Sequence, residues 1–212
     1  AQEHNTTYEK LLNQNILKPL KMKDSIFQSD STRIAKVYNK EKLGDIWKEK
    51  KVWDMGDMKS AGGLKTSLRD MEKYLRAQLN PEKTSLTKAI EQSQTYLKEA
   101  SERVNNNICK KNEIKDFQKK LCNPQKNDLY YAWESIPSGN VLFHGGATAS
   151  SQAMIIFNKD RSFGLVVLTN SVVGKVDQAL FHFPNDLALC IYQLYGQPLT
   201  DKVDFCAKAE QI

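Results

Sequence analysis

The residues best suited to chemistry form one run, Val141-Leu142-Phe143-His144-Gly145-Gly146-Ala147-Thr148. Histidine changes charge close to neutrality, and two glycines on a strand let a ligand or a second backbone approach closely. Together they suit a strand-borne site. The plainer reading is a strand-end histidine with one backbone hydrogen bond. His4 and His182 have no partners at useful spacing. Four cysteines, Cys109, Cys122, Cys190 and Cys206, show neither CxxC nor Cys/His metal spacing. No metal or cofactor is expected. Two disulfides in an exported protein and four idle thiols are equally compatible with that count, and three pairings are open.

Strands must carry this run. Met154–Phe157 and Leu165–Leu168 are apolar and flank Asn158-Lys159-Asp160-Arg161, a polar cluster of hairpin length. With Val141–Phe143 they predict a three-stranded antiparallel meander over 141–170. Side chains alternate along a strand, so Met154 and Ile156 face one side, and Ile155 and Phe157 the other. Both faces are apolar and need covering by helices. The sequence proposes 64–79 for one face and a helix over 176–195, interrupted near Pro184, for the other. Tyr130–Ser135 is read as an extension of the sheet.

Upstream, Thr6-Thr7-Tyr8-Glu9 reads as a helix start with Thr6 as cap, ended near Pro19. Asp24–Lys59 lacks periodicity and is read as a surface excursion anchored by Trp47 and Trp53. Thr66 or Ser67 caps a helix carrying Leu68, Met71, Leu75 and Leu79. Asn80-Pro81 stops it, and another helix is expected from about Ser85 through Tyr96 toward Val104. Residues 105–128 are polar and Asn/Lys-rich, an exposed insertion.

The 212 residues are 40% hydrophobic and 26% charged, an ordinary globular composition able to bury a substantial core. No apolar run approaches the roughly 18 residues of a membrane span. The first ten residues are polar and carry no signal-peptide core. The net charge of +6 comes from lysines interleaved with acids. There is no arginine-rich stripe with stacking aromatics, so a nucleic-acid partner is disfavoured.

In their shared order these pieces resemble the C-terminal part of the serine β-lactamase and penicillin-binding-protein-like hydrolases, most closely the class C branch. Tyr8-Glu9-Lys10-Leu11-Leu12 with Lys18-Pro19-Leu20-Lys21-Met22 is similar to one family stretch. Gly63-Leu64-Lys65-Thr66-Ser67-Leu68-Arg69-Asp70-Met71 is similar to a helix start in the family. Glu82-Lys83-Thr84, Ala89–Gln94 and Tyr131-Ala132-Trp133-Glu134 follow in order, then His144-Gly145-Gly146 and Leu168-Thr169-Asn170. The resemblance implies an α+β fold, an antiparallel sheet flanked by helices, incomplete at its N-terminal side. Residues 1–212 would be the C-terminal part of a single domain with the insertion at about 105–128.

It also implies acyl-enzyme chemistry by a serine in Ser-x-x-Lys, helped by Tyr-x-Asn, with His-x-Gly taking the strand position. His144 would then face the substrate, and the Ala147 N–H would be an oxyanion donor. Gly145, Gly146 and Thr148 would line the substrate site, and Lys175 would approach an anionic group. Substrates would be β-lactams, D-alanyl peptides or esters, in the periplasm or outside the cell.

The family's first two motifs lie upstream of its Tyr-Glu helix, where this sequence begins, so the nucleophile is expected outside residues 1–212. Ser85-Leu86-Thr87-Lys88 spells Ser-x-x-Lys but falls in a later helix region, and short patterns recur by chance. Gly145 lacks the hydroxyl that Ser or Thr would offer a carboxylate, and Gly62 replaces an aromatic wall. The chain alone is expected to be inactive, and to associate with the upstream segment or with itself. A non-catalytic binding module is the alternative.

Overall fold

The computed structural model describes residues 2–28, 32–41, 44–97, 128–135, 141–149, 151–161, 163–173 and 190–191. Its centre is the meander. β5 (Val141–Ala147), β6 (Gln152–Asn158) and β7 (Phe163–Thr169) pair antiparallel over seven residues each. β3 (Asp128–Leu129) and β4 (Glu134–Ser135) extend the sheet to the order β3-β4-β5-β6-β7. Tyr130–Trp133 is not extended: Tyr130 N–H donates to Trp133 O at 2.8 Å, closing a turn between β3 and β4. That turn lets Trp133 sink to 4% exposure, edge-on to Phe157 at 4.9 Å between ring centroids.

The alternation read from Met154–Phe157 holds. Met154 and Ile156 pack with Val141, Phe143, Leu165 and Val167 on one face. Ile155 and Phe157 pack with Leu142, Trp133, Met71 and Leu75 on the other. The second face is covered by α3 (Leu68–Leu79), whose apolar residues recur at helical spacing. Ser67 caps it, its Oγ accepting from Asp70 N–H at 3.2 Å. Gly164 permits the close approach of helix and sheet, since a Cβ there would lie 2.6 Å from Leu75 Cδ1 and 3.0 Å from Phe157 Cβ. Of the helix expected over 176–195, only Cys190 and Ile191 fall within the described residues, and both are helical.

A second apolar cluster joins Leu17, Leu20 and Met22 to Ala77 on α3 and to Ile90. Its first element, α1 (Tyr8–Leu12), is capped by Thr7 rather than Thr6. Thr7 Oγ1 is the oxygen within reach of Lys10 N–H, at 3.3 Å, and Glu9 pairs with Lys59 instead of closing a capping box. After one widened turn, Asn13–Leu17, the chain leaves the helix through Pro19. α4 (Thr87–Ser93) is shorter than the sequence suggests. Gln94 breaks away to bond Gln78 O and Oε1 at 3.1 and 2.8 Å, and Tyr96 bridges to Tyr130.

The excursion after Asp24 holds structure its sequence does not announce. β1 (Val37–Lys40) pairs antiparallel with β2 (Lys48–Lys50) and parallel with β8 (Ser171–Val173). Trp47 and Trp53 are 43% and 51% exposed, so neither is a buried anchor. Trp47 lies under the Lys40 ammonium, 4.6 Å from the ring centroid. Asn170 Nδ2 donates to Lys36 O and Asn39 Nδ2 to Ala149 O, tying the excursion to the end of β7 and to the β5–β6 turn beside it.

Candidate active site

Between the meander, β1 and the start of α3 lies an open cleft of about 980 Å³. One wall is β5 from His144 to Ala147. Cross-strand register sets His144 beside Ile155 and Val166, and Gly146 beside Ala153 and Leu168, on the face that α3 covers further along. His144 and Gly146 are exposed, and a Cβ at Gly146 would meet nothing within 4 Å.

Backbone geometry around Ala147 follows from the turn. Thr148 N–H donates to Ser151 O at 2.8 Å. Bonded and non-bonded pairs alternate along antiparallel strands. Ala147–Gln152 and Gly145–Met154 are therefore non-bonded pairs, and the N–H groups of Gly145 and Ala147 point away from β6. On that side β4 pairs only with Leu142 and Phe143. Among the described residues no strand takes up these two donors.

Thr148 also lines the cleft, but its hydroxyl is engaged with Ser151 Oγ at 2.8 Å and closes the β5–β6 turn. α2 (Lys59–Gly62) ends against that turn, where a Cβ on Gly62 would lie 3.6 Å from Thr148 Cγ2 and 3.5 Å from Met55 Cε. Lys175, Cys109, Cys122 and Cys206 lie outside the described residues, as does the stretch 105–127. Cys190 is disulfide-bonded. His4 is exposed. Ser85 and Lys88 are exposed at the entry to α4, and neither lines the cleft. Among the described residues no cluster of three His, Cys, Asp or Glu could hold a metal, and no helix is long and apolar enough to cross a membrane.

The floor is organised by Asp70, which is fully buried. It accepts from Asp24 N–H at 2.7 Å, Ser25 Oγ at 2.9 Å and Lys73 Nζ at 2.7 Å. Ser25 has one hydroxyl proton and a carboxylate only accepts. Thr66 therefore donates to Ser25 across their 2.9 Å contact. Burial alone would raise the Asp70 pKa. The bonds from Lys73, Ser25 and Asp24 N–H, with the Lys73 charge, outweigh it and hold the carboxyl below its ordinary value. Asp24, fixed by its own N–H, pairs with Arg33. Sequence reading named neither Asp24, Arg33 nor Trp53 as cleft residues, because only folding brings the excursion to the sheet.

The chain is thus an α+β fold with an antiparallel meander, a covering helix and a His-Gly-Gly strand in a cleft. The family model described as Beta-lactamase matches residues 2–186, and the chain belongs to that family. Among solved structures it is similar to the octameric penicillin-binding protein homologue from Pyrococcus abyssi, at 18% identity and TM-score 0.60, over 92% of this chain and 39% of that one. It is also similar to a D-stereospecific amidohydrolase from Streptomyces sp., at 16% identity and TM-score 0.53, over 78% of this chain and 44% of that one. A class C β-lactamase matches at 19% identity and TM-score 0.53, over 81% and 48%. This chain thus spans less than half the length of each of the three. No curated protein matches it.

Proposed function

We propose that the chain is the sheet-bearing, C-terminal portion of a serine hydrolase in the β-lactamase family, with 105–128 inserted into its single domain. It acts on a β-lactam, a D-alanyl peptide or an ester through an acyl-enzyme, and the serine comes from outside residues 1–212. The observation that carries this reading is the cleft wall His144–Ala147, with the Ala147 N–H turned away from the β6 ladder. A donor held there by the sheet can meet charge that develops on a carbonyl oxygen in the transition state, at no cost of reorganisation. His144, exposed on the same strand, faces the reacting group as a hydrogen-bonding or electrostatic element. The one Ser-x-x-Lys in the sequence, at Ser85, lies away from the cleft.

The class C likeness supports β-lactam or peptide substrates. Gly145, without a hydroxyl for a carboxylate, favours peptide or ester chemistry over efficient β-lactam hydrolysis. The disulfide at Cys190 supports an oxidising compartment, periplasmic or extracellular.

Intact mass spectrometry after incubation with a fluorophosphonate or a penicillin tests the reading. The chain alone is expected to gain no adduct, because an oxyanion donor without a nucleophile accelerates little. Joined to the segment encoded before it, the protein should be labelled at a serine outside residues 1–212. A stoichiometric adduct on Ser85 overturns this assignment. Absence of labelling in both forms favours the non-catalytic binding module.

A further inference from the structure

Three charged residues line the cleft among the described residues, Asp24, Arg33 and Lys65. Asp24 and Arg33 pair with each other. Lys65 is half-buried and has no carboxylate within 4 Å among the described residues. Its ammonium carries three donors, and one is used, on Gly63 O at 2.9 Å. Its backbone cannot drift, since Lys65 N–H donates to Ile26 O and Ile26 N–H to Lys65 O, both at 2.8 Å. Lys65 therefore brings to the cleft a cation with no ion pair among the described residues, on a pinned backbone and with donors to spare. Around it the lining is largely apolar, with Trp53 half-exposed and Ile34, Met71 and Leu168 nearby in the same cleft.

We infer that Lys65 is an anion-binding residue of the cleft, holding the carboxylate of a ligand whose apolar part lies against Trp53 and Met71. This deepens the hydrolase reading and rests on the cleft being its substrate site. A cation removed from water without a counter-charge is costly. Burial already pushes the Lys65 ammonium below the ordinary lysine value, opposed only by the charge of Asp54. An incoming carboxylate relieves that cost and accepts the two free donors, and charge-assisted hydrogen bonds are the stronger kind. Asp24 and Arg33 offset each other, which leaves Lys65 as the cleft-lining charge without an ion pair among the described residues. An uncharged analogue of the same shape would leave the ammonium as it is.

Phenylacetate and its neutral isostere phenylacetamide separate the charge from the shape. Titrated into the chain and followed by NMR, phenylacetate should bind about ten- to a hundredfold more tightly, moving the Lys65 Cε signal. Lys65→Met should abolish that preference while keeping the weak binding of the amide, and Lys65→Arg should retain most of it. Lys59→Met, which removes a lysine paired with Glu9 away from the cleft, should change nothing. The Cε signal reports on the parent protein, so the test stands even if one variant folds poorly. Equal affinity for the two probes, no binding of either, or a preference that survives Lys65→Met would each overturn the inference. The hydrolase reading fails separately: a charge preference without acylation leaves Lys65 standing, and acylation without the preference removes Lys65 alone.

Discussion

At the scale of the residue, Asp70 has the largest structural task. One carboxylate holds Asp24 N–H, Ser25 and Lys73, and through Ser25 it orients Thr66. Its pKa is lowered on folding, so the folded state binds a proton there less readily than the unfolded chain. The resulting stability is complete above the ordinary aspartate range, near pH 4. It drains as pH falls through that range toward the lowered folded value. Asp70→Asn should cost about 2–3 kcal/mol at neutral pH. The variant should also lose much of the parent's drop in urea midpoint between roughly pH 5 and pH 3. Equal pH slopes for variant and parent would show that other carboxylates carry the acid sensitivity.

At the scale of the element, the contact between α3 and β7 depends on a missing side chain. A methyl on Gly164 would collide with Leu75 Cδ1 and Phe157 Cβ. Gly164→Ala should therefore destabilise by about 1–3 kcal/mol through overpacking. Adding Leu75→Ala should recover part of that loss, a non-additivity expected of residues in contact. Gly146→Ala, which meets open space, should stay within about 0.5 kcal/mol of the parent. Urea unfolding of the parent, of Gly164→Ala, Leu75→Ala and Gly146→Ala, and of the Gly164/Leu75 double variant decides it. Additive losses at Gly164 and Leu75 would mean the helix does not pack on the strand as described. The element that sequence reading missed is the β1–β2 hairpin. Lys48-Glu49-Lys50 has no apolar alternation to reveal a strand, and its partner β1 is placed by β8, whose Ser171 pairs with Tyr38 from 133 residues later in the chain.

At the scale of the molecule, β7 is the terminal strand of the five-stranded sheet among the described residues. The cleft beside it is open and largely apolar, with Trp53 51% exposed at its wall. Apolar surface of that kind favours a covering partner. We expect the chain to self-associate or to take up a segment that covers this surface, measured by light scattering and by binding of an apolar dye. A compact monomer that binds no dye would argue against this. In the octameric homologue assembly is established for that protein; here it is an expectation from exposed surface.

The meander was legible from residues alone because its signal is local. Apolar runs of strand length flank polar turns, and a period of two assigns Met154 and Ile156 to one face and Ile155 and Phe157 to the other. The Ser67 cap and the apolar spacing of α3 were legible for the same reason, each being satisfied within one turn of chain. His144-Gly145-Gly146 could be singled out by residue type. What only the tertiary structure decided is long-range. It paired β1 with β8, turned Tyr130–Trp133 into a hairpin, and set the Ala147 N–H away from β6 through a bond made by Thr148. It also brought Asp24, Arg33, Trp53 and Lys65 to the same cleft as His144. Residue identity states which charges a chain carries; whether one of them finds an ion pair depends on distances across the fold, and Lys65 has none among the described residues.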